Sequence, residues 1–280
     1  MSQIKVSELF YSMQGEGRFM GVPSIFLRTY GCNFTCAGFG MEKGKLSIQA
    51  NAIAANSEQY PTYDSLPLVT TGCDSYASWH PKFKHLSPTM TIDEIANRMI
   101  ELLPNNSWEG IHLVITGGEP LLLGWQKLYP QLLDHPLLST VQNITFETNG
   151  TQRLSKEFLD YLYYNNKRWV TFSVSPKLSV SGEPAEKAIV PDAVVQYKFA
   201  GSDVYLKFVI ATEEDANEAL EKIELYKAAG FNGHVYLMPV GGVEAVYNLN
   251  NRAVADLALK HGLRYSDRLQ VPLFKNEWAT

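Results

Sequence analysis

Ser24-Ile25-Phe26-Leu27-Arg28-Thr29-Tyr30-Gly31-Cys32-Asn33-Phe34-Thr35-Cys36 runs from an apolar, β-prone segment straight into a loop that carries two of the chain's three cysteines. A buried strand that delivers a reactive loop at its C-terminal end is the repeating unit of parallel α/β folds. Short apolar or β-branched runs at 24–28, 113–115, 144–146, 170–174, 205–210 and 235–238 predict six such strands, covered on both faces. Amphipathic stretches lie between them. Thr91 with Glu94 predicts a capping box ahead of Ile95, Met99 and Leu102. Thr212 opens another helix, whose Ala216, Leu220, Ile223 and Tyr226 form a core-facing stripe before Gly230. The acidic run Glu213-Glu214-Asp215 then decorates the positive end of a helix dipole and needs no ligand. Six units are too few to close an eight-stranded barrel, so the expected fold is α/β, a partial (β/α)6 open barrel with its chemistry at the C-terminal ends of the strands.

The polar motifs all fall on that expected rim. Gly117-Gly118-Glu119-Pro120 follows the second strand, Glu147-Thr148-Asn149-Gly150 the third and Ser175-Pro176-Lys177 the fourth. Met238-Pro239-Val240-Gly241-Gly242 ends the sixth.

Length and composition narrow the function classes. No linker or charge block divides the 280 residues, which predicts a single domain over 1–280 with an inserted loop at 37–72. The hydrophobic fraction of 45% and charged fraction of 19% are those of a globular protein, and no apolar run reaches the roughly 20 residues of a membrane span. The N-terminal residues lack the apolar core of a secretory signal, so the expected location is the reducing cytoplasm, where thiolates stay free for metal. A net charge of −5 with scattered Lys and Arg predicts no nucleic-acid partner, and no membrane partner is expected either.

The third cysteine lies in Gly72-Cys73-Asp74-Ser75, so three thiolates are available to one iron–sulfur cluster. A four-iron cluster held by three thiolates keeps one iron open for the amino and carboxylate groups of S-adenosylmethionine. The compact pattern of such loops has a cysteine three residues after the second. That position is Phe39, which cannot ligate iron, so Cys73 has to take its place. Two other readings stay open on the residues alone: three small buried hydrophobes, or a zinc site of Cys32, Cys36, Cys73 and His80. Gly117 and Gly118 would let the backbone approach a ligand closely, and Glu119 behind them could hold an ammonium group. The 36 residues between Cys36 and Cys73 show no sustained helix or strand period apart from a weak helical stretch at 48–56.

Taken together, these residues resemble the radical S-adenosylmethionine superfamily and, within it, the 7-carboxy-7-deazaguanine synthase family. The closer likeness rests on Gln14-Gly15-Glu16-Gly17, on Gly21-Val22-Pro23-Ser24-Ile25-Phe26-Leu27-Arg28, on Gly31-Cys32, on Thr116-Gly117-Gly118-Glu119-Pro120, on Glu147-Thr148-Asn149-Gly150 and on Ser175-Pro176-Lys177. It runs from about residue 8 to residue 242. The resemblance implies a lyase with a 4Fe-4S cluster on Cys32, Cys36 and Cys73. S-adenosylmethionine would meet Gly72, Cys73, Asp74 and Gly118, then Ser175, Pro176 and Lys177, and finally Met238, Pro239, Val240 and Gly241. Substrate would meet Met13, Gln14, Gly15, Arg28 and Thr116, with Glu16 and Arg28 as the catalytic candidates. The Arg28 guanidinium suits a substrate carboxylate, and the Gln14 amide can donate to and accept from a pterin edge. Ser75 would supply a hydroxyl to Mg²⁺. The implied reaction converts 6-carboxy-5,6,7,8-tetrahydropterin to 7-carboxy-7-deazaguanine with loss of ammonia, in the biosynthesis of 7-deazaguanines such as queuosine. A homodimer and an electron donor such as flavodoxin are implied as well. The chain departs from the family pattern in the long segment that splits the cysteine motif, and in Arg268-Leu269-Gln270, where relatives often carry His at the last position.

Overall fold

The structure, a computed structural model, describes residues 2–200 and 203–280. Nine strands form one sheet among these residues: β1 Gln3–Met13, β2 Pro23–Thr29, β3 Thr89–Thr91, β4 His112–Gly117, β5 Asn143–Thr148, β6 Trp169–Val174, β7 Asp203–Ile210, β8 Val235–Pro239 and β9 Arg264–Tyr265. Their order is β3-β1-β2-β4-β5-β6-β7-β8-β9. From β2 to β9 each neighbouring pair is parallel, and the two end strands do not pair with each other. The result is the open, partial α/β barrel expected from the periodicity, with all six expected strands present as β2 and β4 to β8.

Three strands escaped the periodicity, and β1 is the one that matters. It is eleven residues long and runs antiparallel to both β2 and β3. Its register slips between Val6 and Glu8, so the buried side chains change phase at a bulge instead of alternating. β3 and β9, at three and two residues, are too short to carry a pattern.

The helices begin where their caps stand. Thr91 Oγ1 accepts from the Glu94 backbone N–H, and Glu94 returns a carboxylate oxygen to the Thr91 N–H at 2.7 Å, which starts the helix Ile92–Leu102. Thr212 and Asp215 form the same reciprocal cap on the helix Glu213–Ala228, so Asp215 has a structural job. That helix buries Ala216, Ala219, Ile223 and Tyr226 against the main core, while Leu220 is only partly covered. The central strands contribute Leu27, Ile115, Phe146, Phe172, Leu206 and Leu237, all fully buried, as strands covered on two faces require.

The segment between Cys36 and Cys73 is more structured than its composition suggests. The helix Gln49–Ala54 is followed by short turns at Ser57–Gln59 and Tyr63–Ser65. Ala54, Leu66 and Val69 from this segment meet Tyr76, Ala77 and Phe83 in a second, smaller core, against which Trp278 from the end of the chain also packs. The Tyr63 and Tyr76 rings stand edge-on to Trp278 at 4.9 and 5.9 Å. Contacts with residues far along the chain replace the periodicity that a regular element would show.

Candidate active site

The C-terminal ends of the parallel strands surround a cavity of about 250 Å³. On its wall stand Met13, Gln14, Gly15 and Glu16 after β1, Arg28 at the end of β2, and Cys32 and Cys36 on the next loop. Gly72, Cys73, Asp74 and Ser75 form another side, with Thr116 and Gly118 beside them. Ser175, Lys177, Met238, Val240 and Gly241 complete the ring of expected residues. Pro176 and Pro239 do not reach the cavity. Both are buried, Pro176 in the loop after β6 and Pro239 as the last residue of β8.

The thiols come together with Phe34 and Phe39 around them. Phe39 fills the place a compact motif would give to a cysteine, and its ring lies 5.9 Å from the Lys177 ammonium. Cys36 adopts a left-handed backbone with φ of 48°, which costs a non-glycine residue on the order of 1–3 kcal/mol. Glu183 holds it there: one carboxylate oxygen accepts from the backbone N–H groups of Thr35 and Cys36 at 2.8 and 2.7 Å. Asn149 Nδ2 donates to Asn33 Oδ1 at 2.8 Å and pins the same loop to the end of β5. Burial pushes the Cys32 thiol up to about 12 and Cys36 well above its ordinary value. Burial and then the Asp74 charge push Cys73 to about 11. Three neutral thiols, Cys36 buried and Cys32 and Cys73 half-buried, suit a soft metal cluster, which would take them as thiolates. The Trp79 indole N–H is buried without a hydrogen-bond partner, close enough to Cys73 to favour its thiolate, so a cluster sulfur there would find a donor waiting.

The zinc reading has no such fit. His80 is absent from the cavity wall; its Nε2 stands 3.2 Å from Asn51 Oδ1 and its Nδ1 accepts from Lys82 N. Among the described residues, no three His, Cys, Asp or Glu gather around a single ion position. A four-iron cluster does not require that, because each thiolate takes a different iron.

The same cavity wall carries a charge network. Glu16 is ion-paired with Lys207 through Oε2 and with Arg268 through Oε1, the latter at 3.2 Å, and Gln270 Nε2 donates to the same Oε1 at 3.0 Å. Burial alone would raise its carboxyl, yet the Lys207 and Arg268 charges hold it down to about 2. Arg268 also bonds Asp74 and the Gly241 carbonyl. Gln14 is already engaged: Nε2 donates to Glu147 at 3.0 Å and Oε1 accepts from the Glu16 backbone N–H at 3.0 Å. Arg28 Nε donates to Glu8 at 2.7 Å and Nη1 to Ser75 Oγ at 3.2 Å, so a buried pair from the neighbouring strand orients it. Lys207 and Glu8 escaped sequence reasoning, whereas Glu147 and Arg268 stood out only as members of their motifs, with no site role given to either. A charged residue inside an apolar strand run, as in Tyr205-Leu206-Lys207-Phe208, was the available signal for Lys207.

One expectation about the glycine motif is corrected. Glu119 does not face the cavity and holds no ammonium. It is fully buried, its oxygens accepting from Thr148 Oγ1, Leu121 N and Asn149 N at 2.8 Å each, and burial raises its carboxyl to about 6. It ties the β4 loop to the β5 loop. Gly118 admits the cysteine loop: a Cβ there would lie 2.3 Å from the Gly31 carbonyl oxygen and 2.8 Å from Cys32 Cβ.

No protein-family profile matches the chain. Individual relatives do. It is 30% identical to the 7-carboxy-7-deazaguanine synthase of Halobacterium salinarum, with 98% of this chain and 91% of that protein covered. It is 27% identical to the synthase of Rhodopirellula baltica over 100% of this chain and 90% of the relative. Its fold is similar to the crystal structure of QueE from Escherichia coli, with a TM-score of 0.53, 20% identity, and 94% and 93% of the two chains covered. With likeness to the Halobacterium enzyme extending over nearly the whole length of both proteins, the chain belongs to the 7-carboxy-7-deazaguanine synthase family.

Proposed function

We propose that this protein converts 6-carboxy-5,6,7,8-tetrahydropterin to 7-carboxy-7-deazaguanine with loss of ammonia, as a radical S-adenosylmethionine lyase of 7-deazaguanine biosynthesis. The observation that carries the reading is one cavity whose wall holds all three thiols together with Arg28, Gln14 and Glu16. Cys32, Cys36 and Cys73 would hold the 4Fe-4S cluster. When bound, the cluster and S-adenosylmethionine supply a one-electron cleavage that yields a 5′-deoxyadenosyl radical able to remove a substrate hydrogen.

The chain's own residues bind and orient. Arg28 Nη2 has no hydrogen-bond partner among the described residues and would meet a substrate carboxylate while Glu8 fixes the guanidinium plane. Glu147 and Glu16 stand ready to accept substrate N–H groups, and Gln14 retains one N–H beyond the bond it gives Glu147. Lys177, Met238, Val240 and Gly241 line the cavity that the thiols share, where the cofactor would lie. Ser75 Oγ, beside Asp74 Oδ1 at 3.3 Å, would offer Mg²⁺ one oxygen ligand. Closure of the cavity around substrate excludes water and holds the reacting atoms in one geometry.

We take the chain to act as one domain over 1–280, in a homodimer, with electrons from a donor such as flavodoxin. No helix among the described residues is long and apolar enough to cross a membrane.

The test is anaerobic incubation of iron-reconstituted protein with S-adenosylmethionine, reductant, Mg²⁺ and the carboxytetrahydropterin, with mass spectrometry for 7-carboxy-7-deazaguanine. Product formation is expected. Cofactor cleavage without that product would discard the substrate.

A further inference from the structure

We infer that Arg268 is a positioning residue that locks the substrate-facing wall of the cavity to its cofactor-facing wall, an assignment that rests on the proposed function for which ligand meets which wall. Arg268 is 8% exposed and lies on the segment that follows β9. Its guanidinium reaches three loops that are far apart along the chain. Nε donates to Glu16 Oε1 at 3.2 Å, Nη2 to Asp74 Oδ2 and Nη1 to the Gly241 carbonyl. Glu16 ends the stretch proposed to meet substrate, Asp74 separates the thiol of Cys73 from the hydroxyl of Ser75, and Gly241 belongs to the turn proposed to meet the cofactor.

The rest of the segment fastens the same wall. Leu269 N donates to the Gly15 carbonyl at 2.9 Å, and Gly17 N donates to Ser266 Oγ at 2.8 Å. Four charges meet in this network: Lys207 and Arg268 offset Glu16 and Asp74. Among the described residues, Lys207 forms its ion pair with Glu16, and Asp74 forms its ion pair with Arg268. A planar guanidinium can aim three N–H groups in fixed directions, whereas an ammonium is a point charge on a flexible stem. Arg268→Lys therefore preserves the charge and removes the geometry, which separates a positioning role from mere charge balance.

The experiment measures amide hydrogen exchange by mass spectrometry on the metal-free chain, wild type against Arg268→Lys. Residues 15–17 and 72–76 are expected to exchange about tenfold faster together, equivalent to about 1.4 kcal/mol of local stability, with β4 to β6 unchanged. In reconstituted enzyme the KM values for S-adenosylmethionine and for the pterin should then rise together. Unchanged exchange in either segment, or a rise in the KM of one ligand alone, would overturn the assignment. Should Arg268→Lys fail to fold, Asp74→Asn carries the test, because it keeps Arg268 and touches no residue of 15–17. Faster exchange at 15–17 in that variant supports the bridge, and unchanged exchange there overturns it. The exchange readout needs neither cluster nor substrate, so an error in the proposed reaction would leave it standing.

Discussion

Glu8 and Arg28 face each other across the β1–β2 ladder, and Arg28 Nε meets the Glu8 carboxylate at 2.7 Å. The antiparallel strand therefore aims the guanidinium that the parallel strands present to the cavity. Glu8→Gln keeps an acceptor and removes the charge. The expected outcome is a rise in the KM for the pterin of about tenfold, equivalent to about 1.4 kcal/mol, with cofactor cleavage in the absence of substrate little changed. Steady-state kinetics with each ligand varied in turn would check it, and an unchanged pterin KM would show that Arg28 needs no such support.

Lys207 is a buried cation whose ammonium pairs with Glu16. Lys207→Met leaves Glu16 with Arg268 and Gln270 alone in a buried setting. Loss of roughly 3–5 kcal/mol of stability is expected, as for other buried pairs broken on one side. Denaturant unfolding of the metal-free protein measures it, and a loss below about 1 kcal/mol would mean that Arg268 suffices.

The same pairing sets a pH dependence. Glu16 titrates at about 2 in the folded chain against an ordinary value of 4.5. The unfolded chain thus binds the proton first as pH falls, so the stabilisation is fully present above about 4.5 and is lost on the way down to about 2. Melting temperature should fall less steeply over that window in Glu16→Gln than in wild type. Parallel curves would contradict the ion pair.

Gly118→Ala would press a methyl group onto the Gly31 carbonyl and the Cys32 side chain. Overpacking of this kind costs about 1–3 kcal/mol and displaces the thiol loop. Iron content and visible absorbance after reconstitution should drop while the far-ultraviolet dichroism stays that of wild type. Full cluster loading would show that the loop can move aside.

Trp278 joins the far end of the chain to the small core under residues 37–72 and donates Nε1 to the Leu66 carbonyl at 2.7 Å. Trp278→Ala should loosen that segment locally and speed proteolytic cutting within 37–72, with the central sheet still protected. Cutting at the wild-type rate would mean that the small core stands without it.

Periodicity and motif spacing reach a long way in this protein. Six apolar runs predict β2 and β4 to β8, because a strand covered on both faces must be apolar throughout. Cys32, Cys36 and Cys73 are the chain's whole supply of thiols, so a three-thiolate site has no alternative membership. β1 stays hidden because its bulge breaks the alternation, and the fold of 37–72 because its contacts lie far away in sequence.

By itself, then, the sequence determined the parallel sheet, the loops that carry chemistry and the three candidate cluster ligands. Each follows from a local pattern or from scarcity of a residue type. Only the tertiary structure decided the roles of Glu8, Lys207 and Arg268, and turned Glu119 from a ligand group into a tie between loops. A charge buried by folding acquires its meaning from whichever partner the fold brings to it, and Arg268 finds Glu16 from 252 residues away.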